Sequence, residues 1–275
     1  MSTVYLVATP IGNLEDISAR ALRILREAHC IAAEDTRRTK QLLSHFDIQT
    51  RLISFHEHSQ RSKLASLLAE LEAGDIALVS DAGTPLLNDP GADLVSAALQ
   101  AGHRVCPIPG PSAPLAALVA SGLPAGTFLY LGYLPRKSSE RQRMLGEVAN
   151  LPYTLIFLEA PHRLLETLRD LEQTLGDRQM AVARELTKLH EEILRGLISQ
   201  ACAYYSQKAP RGEFTLVVAG APARKEEAWS LDELQAAITE RLSQDTPPAQ
   251  IASQLAAESG WPRRMIYRMI TELEG

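Results

Sequence analysis

The first 110 residues alternate between short apolar runs and segments of helical periodicity. The apolar runs are Val4–Ala8, Cys30–Ala33, Leu52–Phe55, Ile76–Ser80 and Arg104–Ile108. Continuous apolar runs of this length are typical of strands buried on both faces, as in a parallel sheet. The segments Ser18–Ala28, Arg61–Ala73 and Ala92–Ala101 between them predict helices. Strands alternating with helices predict a parallel α/β domain over residues 1–122.

The pattern restarts after the break at Ser121-Gly122-Leu123-Pro124. Further strands are predicted at Phe128–Leu131, Thr154–Leu158, Met180–Ala183, Glu191–Arg195 and Phe214–Ala219, with helices near Ser138 and before Leu175. These elements predict a second α/β domain over residues 123–222.

The last part of the chain follows a different pattern. Ala221–Ala228 is rich in alanine, proline and charge, which is typical of a linker. Three helices are predicted beyond it, at Leu231–Leu242, Pro248–Ser259 and Pro262–Leu273. The last two resemble a helix-turn-helix, so residues 228–275 predict a small helical domain. The sequence leaves open whether it contacts nucleic acid or serves packing and dimerisation.

Composition narrows the class of protein. The chain has 275 residues, a formal net charge of −5 and three cysteines. This length suffices for buried cores without disulfides, and the net charge argues against a protein that is basic over its whole surface. Three widely spaced cysteines, with neither a secretory signal nor an apolar run of membrane-spanning length, predict a cytoplasmic protein without membrane association.

The central apolar run leads into an unusual loop, in the segment IALVSDAGTPLLNDP (Ile76–Pro90). Gly83 permits backbone angles that other residues avoid. Asp89 and Pro90 predict the start of the next helix. Loops at the carboxyl ends of parallel strands are where open α/β sheets bind ligands. We therefore expect a ligand at this loop.

Two other strands end in similar stiff loops, Thr9–Asn13 and Pro109–Pro114, and Ser112 is predicted to cap a helix that begins near Ala113. Three such loops at one edge of a sheet predict a shared pocket. None matches G-x-G-x-x-G or the P-loop, which disfavours the common dinucleotide and P-loop phosphate sites. The loops favour a neutral or cationic adenosine-type ligand over a polyphosphate.

Charged residues follow several other strands. Glu34 and Asp35 open the stretch EDTRRT, and Arg184, Glu185 and Lys188 form a second group. The first group is compatible with catalysis or with a salt-bridged turn. The second is compatible with an ion pair that bridges the two domains or with a functional Lys188, which would hold a phosphate or, if desolvated, act as a base. The pair His56 and His58 has no obvious third ligand nearby, so packing is favoured over a metal site.

Six motifs occur in a characteristic order: TPIGNLEDIS, AEDTRRT, LVSDAGTPLLNDPG, PGPSA, LEAPHR and RELTKLHEE. Together they resemble the tetrapyrrole methylase superfamily over Tyr5 to Ala219. More narrowly, they are similar to its ribosomal RNA branch, which methylates the ribose 2′-oxygen of a cytidine in small-subunit ribosomal RNA. The resemblance implies two α/β domains with S-adenosylmethionine in the cleft between them, a homodimer, and an assembled small subunit as the substrate.

The resemblance also implies which residues form the site. The implied cofactor-binding residues are Pro10, Asp81, Ala82, Gly83, Thr84, Leu86, Ser112, Ala113, Leu158 and Glu159. Ala92 departs from the pattern, because an aromatic residue is expected there. Methyl transfer from a sulfonium requires in-line alignment and exclusion of water. It is aided by a base for the hydroxyl proton and requires no metal.

The candidates for that base, or for positioning the ribose, are Glu34, Asp35 and Lys188. The basic residues expected to contact RNA are Arg37, Arg38, Arg136, Lys137, Arg163, Arg263 and Arg264, with Arg141 and Arg143 beside the middle group. Two other functions stay open from the sequence. One is methylation of a tetrapyrrole precursor on the same scaffold, and the other is a non-enzymatic nucleic-acid-binding module that uses Pro262–Leu273.

Overall fold

A computed structural model describes residues 1–55, 60–88, 91–222, 229–244 and 246–274, with only the backbone for residues 60–62 and 274. The chain divides into two compact units, Met1–Ala221 and Pro222–Gly275. The two predicted α/β domains thus cluster as one unit. The predicted helix start at Asp89-Pro90 and the segment His56–His58 lie outside the described residues.

The first sheet contains five parallel strands. They are β1 (Thr3–Val7), β2 (Cys30–Ala33), β3 (Leu52–Ser54), β4 (Ile76–Val79) and β5 (Arg104–Ile108), in the order β3-β2-β4-β1-β5. The helices α1 (Ala19–Glu27), α2 (Thr36–His45), α3 (Gln60–Ala73) and α4 (Ala92–Gln100) connect them. Every residue of β2 and β4 is buried, because helices cover both faces. The predicted parallel α/β fold is confirmed.

The helix that follows β5 does not cover the first sheet. α5 (Ala113–Ser121) places Ala117 and Leu118 in a core with Ile156 and Val217 of the second sheet. Because β5 belongs to one sheet and α5 packs on the other, the segment that joins them lies between the two sheets. This segment contains Ser112.

The second sheet is mixed. Its strands are β6 (Phe128–Tyr133), β7 (Thr154–Glu159), β8 (Gln179–Arg184), β9 (Glu192–Leu197) and β10 (Phe214–Val218), in the order β6-β7-β10-β8-β9. Only the β6–β7 pair is parallel, and the remaining pairs are antiparallel. The helices are α6 (Ser138–Val148), α7 (Leu164–Leu175) and α8 (Ile198–Gln207).

One predicted RNA contact is internal to this region. Arg141 is 1% exposed, and its Nε donates to Oδ2 of Asp170 at 2.6 Å. Its Nη1 donates to the carbonyl oxygens of Pro135 and Arg136. A guanidinium with this many buried partners holds the start of α6, and the expectation that Arg141 meets RNA was wrong.

The second unit contains α9 (Leu231–Leu242), α10 (Pro248–Ser259) and α11 (Arg263–Glu274), which confirms the three predicted helices. Leu234, Ile238, Leu255, Ile266 and Ile270 form the centre of its core. The indole Nε1 of Trp261 donates to the carbonyl of Trp229 at 2.6 Å and fixes the turn before α11. Across the described ranges, no helix combines the length and the apolar character needed to cross a bilayer.

Candidate functional site

The three stiff loops of the first sheet lie together. Thr9 and Gly83 exchange two backbone hydrogen bonds of 2.9 Å each. The Thr84 hydroxyl donates to the carbonyl oxygen of Pro111 at 3.2 Å. The loops after β1, β4 and β5 are therefore tied to one another, as a shared pocket requires.

Gly83 has a steric and a conformational role. Its φ is +80°, and a Cβ at this position would lie 3.3 Å from Cγ2 of Ile11 and 3.7 Å from the carbonyl oxygen of Pro111. An L side chain here would strain the backbone and fill the space between the first and third loops. The glycine thus keeps the centre of the loop cluster open.

The loop cluster borders a hollow of about 260 Å³, and residues from both sheets line it. The first sheet contributes Ile11, Glu34, Arg38, Asp81, Ala82, Leu87, Asn88 and, after β5, Ala113. The second contributes Tyr133, Leu158, Glu213, Phe214 and Thr215. A narrower hollow beside it is lined by Gly83, Thr84 and Ser112, and a third by Pro10.

The structure thus brings together eight of the ten residues implied for the cofactor. The side chains of the other two are directed elsewhere. Leu86 packs against the core of the first sheet, and its neighbour Leu87 lines the hollow instead. The Glu159 carboxylate is buried and accepts hydrogen bonds from the Thr167 hydroxyl and the Ala160 amide, so only its backbone is near the hollow's Leu158.

Ser112 begins α5, but its side chain does not cap the helix, so that prediction was wrong. The Oγ atom is buried and has no hydrogen-bond partner among the described residues. Buried hydroxyls are nearly always paired, and the first amides of a helix have no partner within it. An unpaired hydroxyl beside such amides is suited to a polar ligand atom.

Carboxylates gather on one side of the main hollow. Asp81 accepts a hydrogen bond from the Asp35 amide at 3.0 Å and lies 3.3 Å from the Arg38 guanidinium. Glu34 lines the hollow itself. Burial, and then the charge of Asp81, raise the pKa of the Glu34 carboxyl. Glu34 therefore accepts a proton more readily than an ordinary glutamate.

Asp35 differs from its neighbour. Its carboxylate accepts hydrogen bonds from the amide and the Nε of Arg37 and begins α2 as its N-cap. These bonds lower the pKa of Asp35 to about 2. A carboxylate with so low a pKa is a weak base. The structural role of Asp35 is to cap the N-terminus of α2.

Lys188 is held in an ion-pair cluster. Its Nζ lies 2.8 Å from Oε1 of Glu185 and 3.0 Å from Oε2 of Glu213. Burial lowers the pKa of Lys188, but its hydrogen bonds to the two carboxylates outweigh this and raise the pKa above the usual value. The ammonium is therefore protonated at neutral pH, a state that is unfavourable for a base.

Strained backbone occurs on both sides of the hollow. Leu86 and Asn88 have φ values of 75° and 64°, and Glu185 and Thr187 have 51° and 65°. The Asn88 side chain accepts a hydrogen bond from the Tyr130 hydroxyl at 2.5 Å, and Thr187 accepts one from the Asn13 amide at 3.1 Å. Contacts between the sheets thus hold both loops in conformations that are costly for residues other than glycine.

The basic residues divide into internal and exposed groups. Arg163 donates to the carbonyls of Leu134 and Pro135, and its side chain is 13% exposed. We therefore leave Arg163 out of the RNA surface. Five predicted RNA contacts of the first unit are exposed: Arg37, Arg38, Arg136, Lys137 and Arg143.

Some lining residues were missed by the sequence analysis. Tyr133 ends β6, which pairs in parallel with β7, and Glu213, Phe214 and Thr215 lie at the start of β10, which pairs antiparallel with β7. Only this strand order brings the four residues to the hollow. Their local sequences carry no motif that marks them. Within the described ranges there is no group of three or more His, Cys, Asp or Glu residues that could hold a metal ion.

The architecture matches solved methyltransferase structures. Uroporphyrin-III C-methyltransferase from Thermus thermophilus, solved also with S-adenosylhomocysteine, aligns with a TM-score of 0.55 at 21% identity, over 78% of this chain and 97% of that chain. A diphthine synthase aligns at 0.61 and 14% identity, over 80% and 90%. The profile of the Tetrapyrrole (Corrin/Porphyrin) Methylases matches residues 3–202. The chain belongs to this family of methylases.

Closer relatives define the branch. A protein of Synechocystis sp. is 47% identical over 100% of this chain and 99% of its own length. One of Halalkalibacterium halodurans is 46% identical over 97% and 94%, and one of Escherichia coli O157:H7 is 45% identical over 99% and 96%. All three are named ribosomal RNA small subunit methyltransferase I, and this chain is a member of their family.

Proposed function

We propose that this protein transfers a methyl group from S-adenosylmethionine to the ribose 2′-oxygen of a cytidine in the decoding region of small-subunit ribosomal RNA. One observation carries the proposal. A single hollow, in a chain closely similar to ribosomal RNA methyltransferases, is lined by cofactor-type loops and by a carboxylate whose pKa is raised. The choice of the 2′-oxygen and of cytidine rests on the sequence resemblance.

The residues around the hollow fit S-adenosylmethionine. The unpaired Ser112 hydroxyl and the first amides of α5 offer donors to polar atoms, and Gly83 leaves space close to the backbone. Asp81, Ala82, Thr84, Ala113, Leu158 and Pro10 complete the proposed site. When bound, S-adenosylmethionine supplies an activated methyl group on a sulfonium.

Glu34 is the best candidate for the base. It faces the hollow, and its raised pKa suits it to accept the proton of the 2′-hydroxyl as that oxygen gains the methyl group. Asp35 and Lys188 are less suited, since the first has a low pKa and the second is protonated. Asp81 and Arg38 act beside Glu34, where their charges tune its proton affinity.

The exposed cations near the hollow suit a phosphate backbone. Arg37 and Arg38 lie at the start of α2, beside Glu34, and Arg136 and Lys137 precede α6. The exposed Arg37 pairs with the half-buried Asp35, and the exposed Lys137 pairs with the exposed Glu140. Surface pairs of this kind contribute little, so a phosphate can displace them. We propose that these four residues contact the RNA.

The test is incubation of the protein with tritiated S-adenosylmethionine and small subunits that lack the modification. We expect label in one nucleotide whose 3′-phosphodiester resists alkaline hydrolysis, which is the property of a 2′-O-methylated ribose. Label in a base, in ribosomal protein only, or in an added porphyrinogen would contradict the proposal. The last outcome would support the tetrapyrrole alternative.

We further propose that the protein acts as a homodimer in the cytoplasm. Leu115 and Val119, one turn apart on α5, are 49% and 76% exposed. A second copy would cover this apolar patch. All three cysteines are free thiols, in keeping with a reducing compartment. Light scattering should give the mass of a dimer for the wild type and of a monomer for Leu115→Glu/Val119→Glu.

A further inference from the structure

The last helix of the second unit has two contrasting faces. Ile266 and Ile270 are completely buried in the unit's core. Arg264 and Arg268 are exposed on the opposite side of the helix, and Arg263 and Tyr267 are exposed beside the buried stripe. Residues four apart lie one above the other on a helix. Arg263 therefore neighbours Tyr267, and Arg264 neighbours Arg268, in one continuous patch.

The placement of these arginines does not stabilise the helix. Positive charge near a helix N-terminus is unfavourable by typically about 0.3–1 kcal/mol. Arg264 and Arg268 add a repulsive pair at i and i+4. Among the described residues no carboxylate lies within 4.0 Å of either Arg263 or Arg264. Within the described part of the chain, the only ion pair of Arg268 is an exposed one of 3.7 Å with Glu272.

α9, in the same unit, shows the usual arrangement. Asp232 and Glu233 lie in its first turn, and Ser230 and Glu233 form a reciprocal cap. Its one arginine, Arg241, is paired with Glu258 at 2.6 Å. The described acidic side chains of the unit thus lie on α9, on α10 and at the far end of α11. The start of α11 carries positive charge alone, in a chain whose net charge is −5.

The patch also contains exposed surface that can stack. Tyr267 is 45% exposed and Met265 is 40% exposed. Aromatic side chains beside arginines bind single-stranded RNA, because unpaired bases stack on the ring while the guanidinium groups contact phosphates. An acidic protein partner would match the positive charge of the arginines but would not account for the exposed ring of Tyr267.

We propose that this basic face, formed by Arg263, Arg264, Tyr267 and Arg268, binds a single-stranded segment of the ribosomal RNA substrate. The arginines contact phosphates, and Tyr267 stacks on a base. The inference rests on the proposed function only in taking ribosomal RNA as the substrate. The role of the basic face is to hold the substrate. Loss of this face therefore raises KM and leaves kcat unchanged.

The experiment compares full-length variants for binding to small ribosomal subunits over a range of KCl concentrations. Arg263→Gln/Arg264→Gln should weaken binding by about tenfold and reduce the salt dependence by about 1.4 in log–log slope, as expected for two single-strand phosphate contacts. Arg263→Lys/Arg264→Lys keeps the charge and should retain most of the affinity. Tyr267→Ala should weaken binding by about fivefold, for the loss of one stacked base.

The matched control removes two exposed arginines elsewhere, in Arg23→Gln/Arg169→Gln, and changes the net charge equally. Binding by the Arg263/Arg264 glutamine variant that equals this control, or equal losses in its glutamine and lysine versions, would overturn the proposal. So would a lower kcat at unchanged KM. Calorimetry with S-adenosylmethionine and thermal unfolding monitor the site and the fold of each variant.

Failure of the proposed function leaves a different signature. A wild type that binds small subunits through the basic face but labels a base would contradict ribose methylation and still support this inference. If the wild type labels the ribose but all variants have the same KM, the proposed function is supported and this inference is contradicted.

Discussion

The segment after β2 and the loop after β8 each place acidic and basic side chains at the end of a buried strand. After β2, Glu34 faces the hollow, and among the described residues no cation lies within ion-pair distance of it. After β8, Lys188 bridges Glu185 and Glu213. The pKa of Glu34 is raised by burial, whereas hydrogen bonds from Lys188 lower the pKa of Glu185.

The difference lies in the partners. A carboxylate that loses water without gaining a cation becomes a better proton acceptor, while one that gains a cation loses that capacity. The segment after β2 is therefore suited to proton transfer, and the loop after β8 to holding the first loop through the bond from Asn13 to Thr187. Four substitutions and a pH profile test this contrast.

The largest effect is expected at the loop after β4, whose Asp81 bonds to the segment after β2. Gly83→Val should weaken S-adenosylmethionine binding at least about 100-fold, because the side chain both strains the backbone and enters the loop cluster. Gly102→Val is the matched control, since Gly102 has φ +81° but no atom within 4 Å of a Cβ. Calorimetry measures both, and equal losses would show that strain alone, not the site, is responsible.

Glu34→Gln removes the proposed base and keeps the shape of the side chain. We expect kcat to fall by about 10²–10⁴-fold, the usual contribution of general base catalysis. Cofactor affinity should be unchanged. Single-turnover methylation of small subunits measures the step, and a kcat within a few fold of the wild type would contradict the assignment.

The pH dependence follows from the same residue. Because the base must be ionised, the rate should rise with pH through the pKa of Glu34 and then level off. Burial raises that pKa, so the acidic limb should lie above the ordinary glutamate value of 4.5. The limb should be absent in Glu34→Gln. A wild-type rate without any acidic limb, measured at saturating substrate, would contradict the proposed base.

Lys188→Met should act on stability more than on catalysis. Removing the ammonium leaves Glu185 and Glu213 close together without a cation, which should lower the free energy of unfolding by about 1 kcal/mol. We expect kcat to change by less than about tenfold. Denaturant unfolding measures the effect on stability, and single-turnover rates measure the effect on catalysis. If Lys188→Met lost as much kcat as Glu34→Gln, the proposed difference between the segment after β2 and the loop after β8 would be contradicted.

The smallest effect is expected for Asp35→Asn at neutral pH, because asparagine also caps helices well. The pKa of Asp35 is lowered from 3.8 to about 2. Its stabilising charge is therefore present above pH 4 and lost as the pH falls towards 2. Acid unfolding followed by circular dichroism should show this loss in the wild type and not in the variant.

Much of the fold was predictable. Val4–Ala8 and Ile76–Ser80 identify buried parallel strands, because only a sheet covered on both faces accepts continuous apolar runs. α2 was missed, since its sequence TRRTKQLLSH begins with charged residues and starts from the Asp35 cap. The packing of α5 on the second sheet was also missed, because a helix that is apolar over most of its surface can pack on either side.

The sequence by itself determined the strands, the stiff loops that follow them and the family to which the motifs belong, because these depend on neighbouring residues and on motif order. Tertiary structure alone shifts the pKa values of Glu34, Asp35 and Lys188, on which the proposed choice of the base rests. The pKa of each depends on partners distant in the chain, such as Asp81 beside Glu34 and Glu213 beside Lys188. Electrostatic interactions depend on distance through space and on burial, and local sequence determines neither.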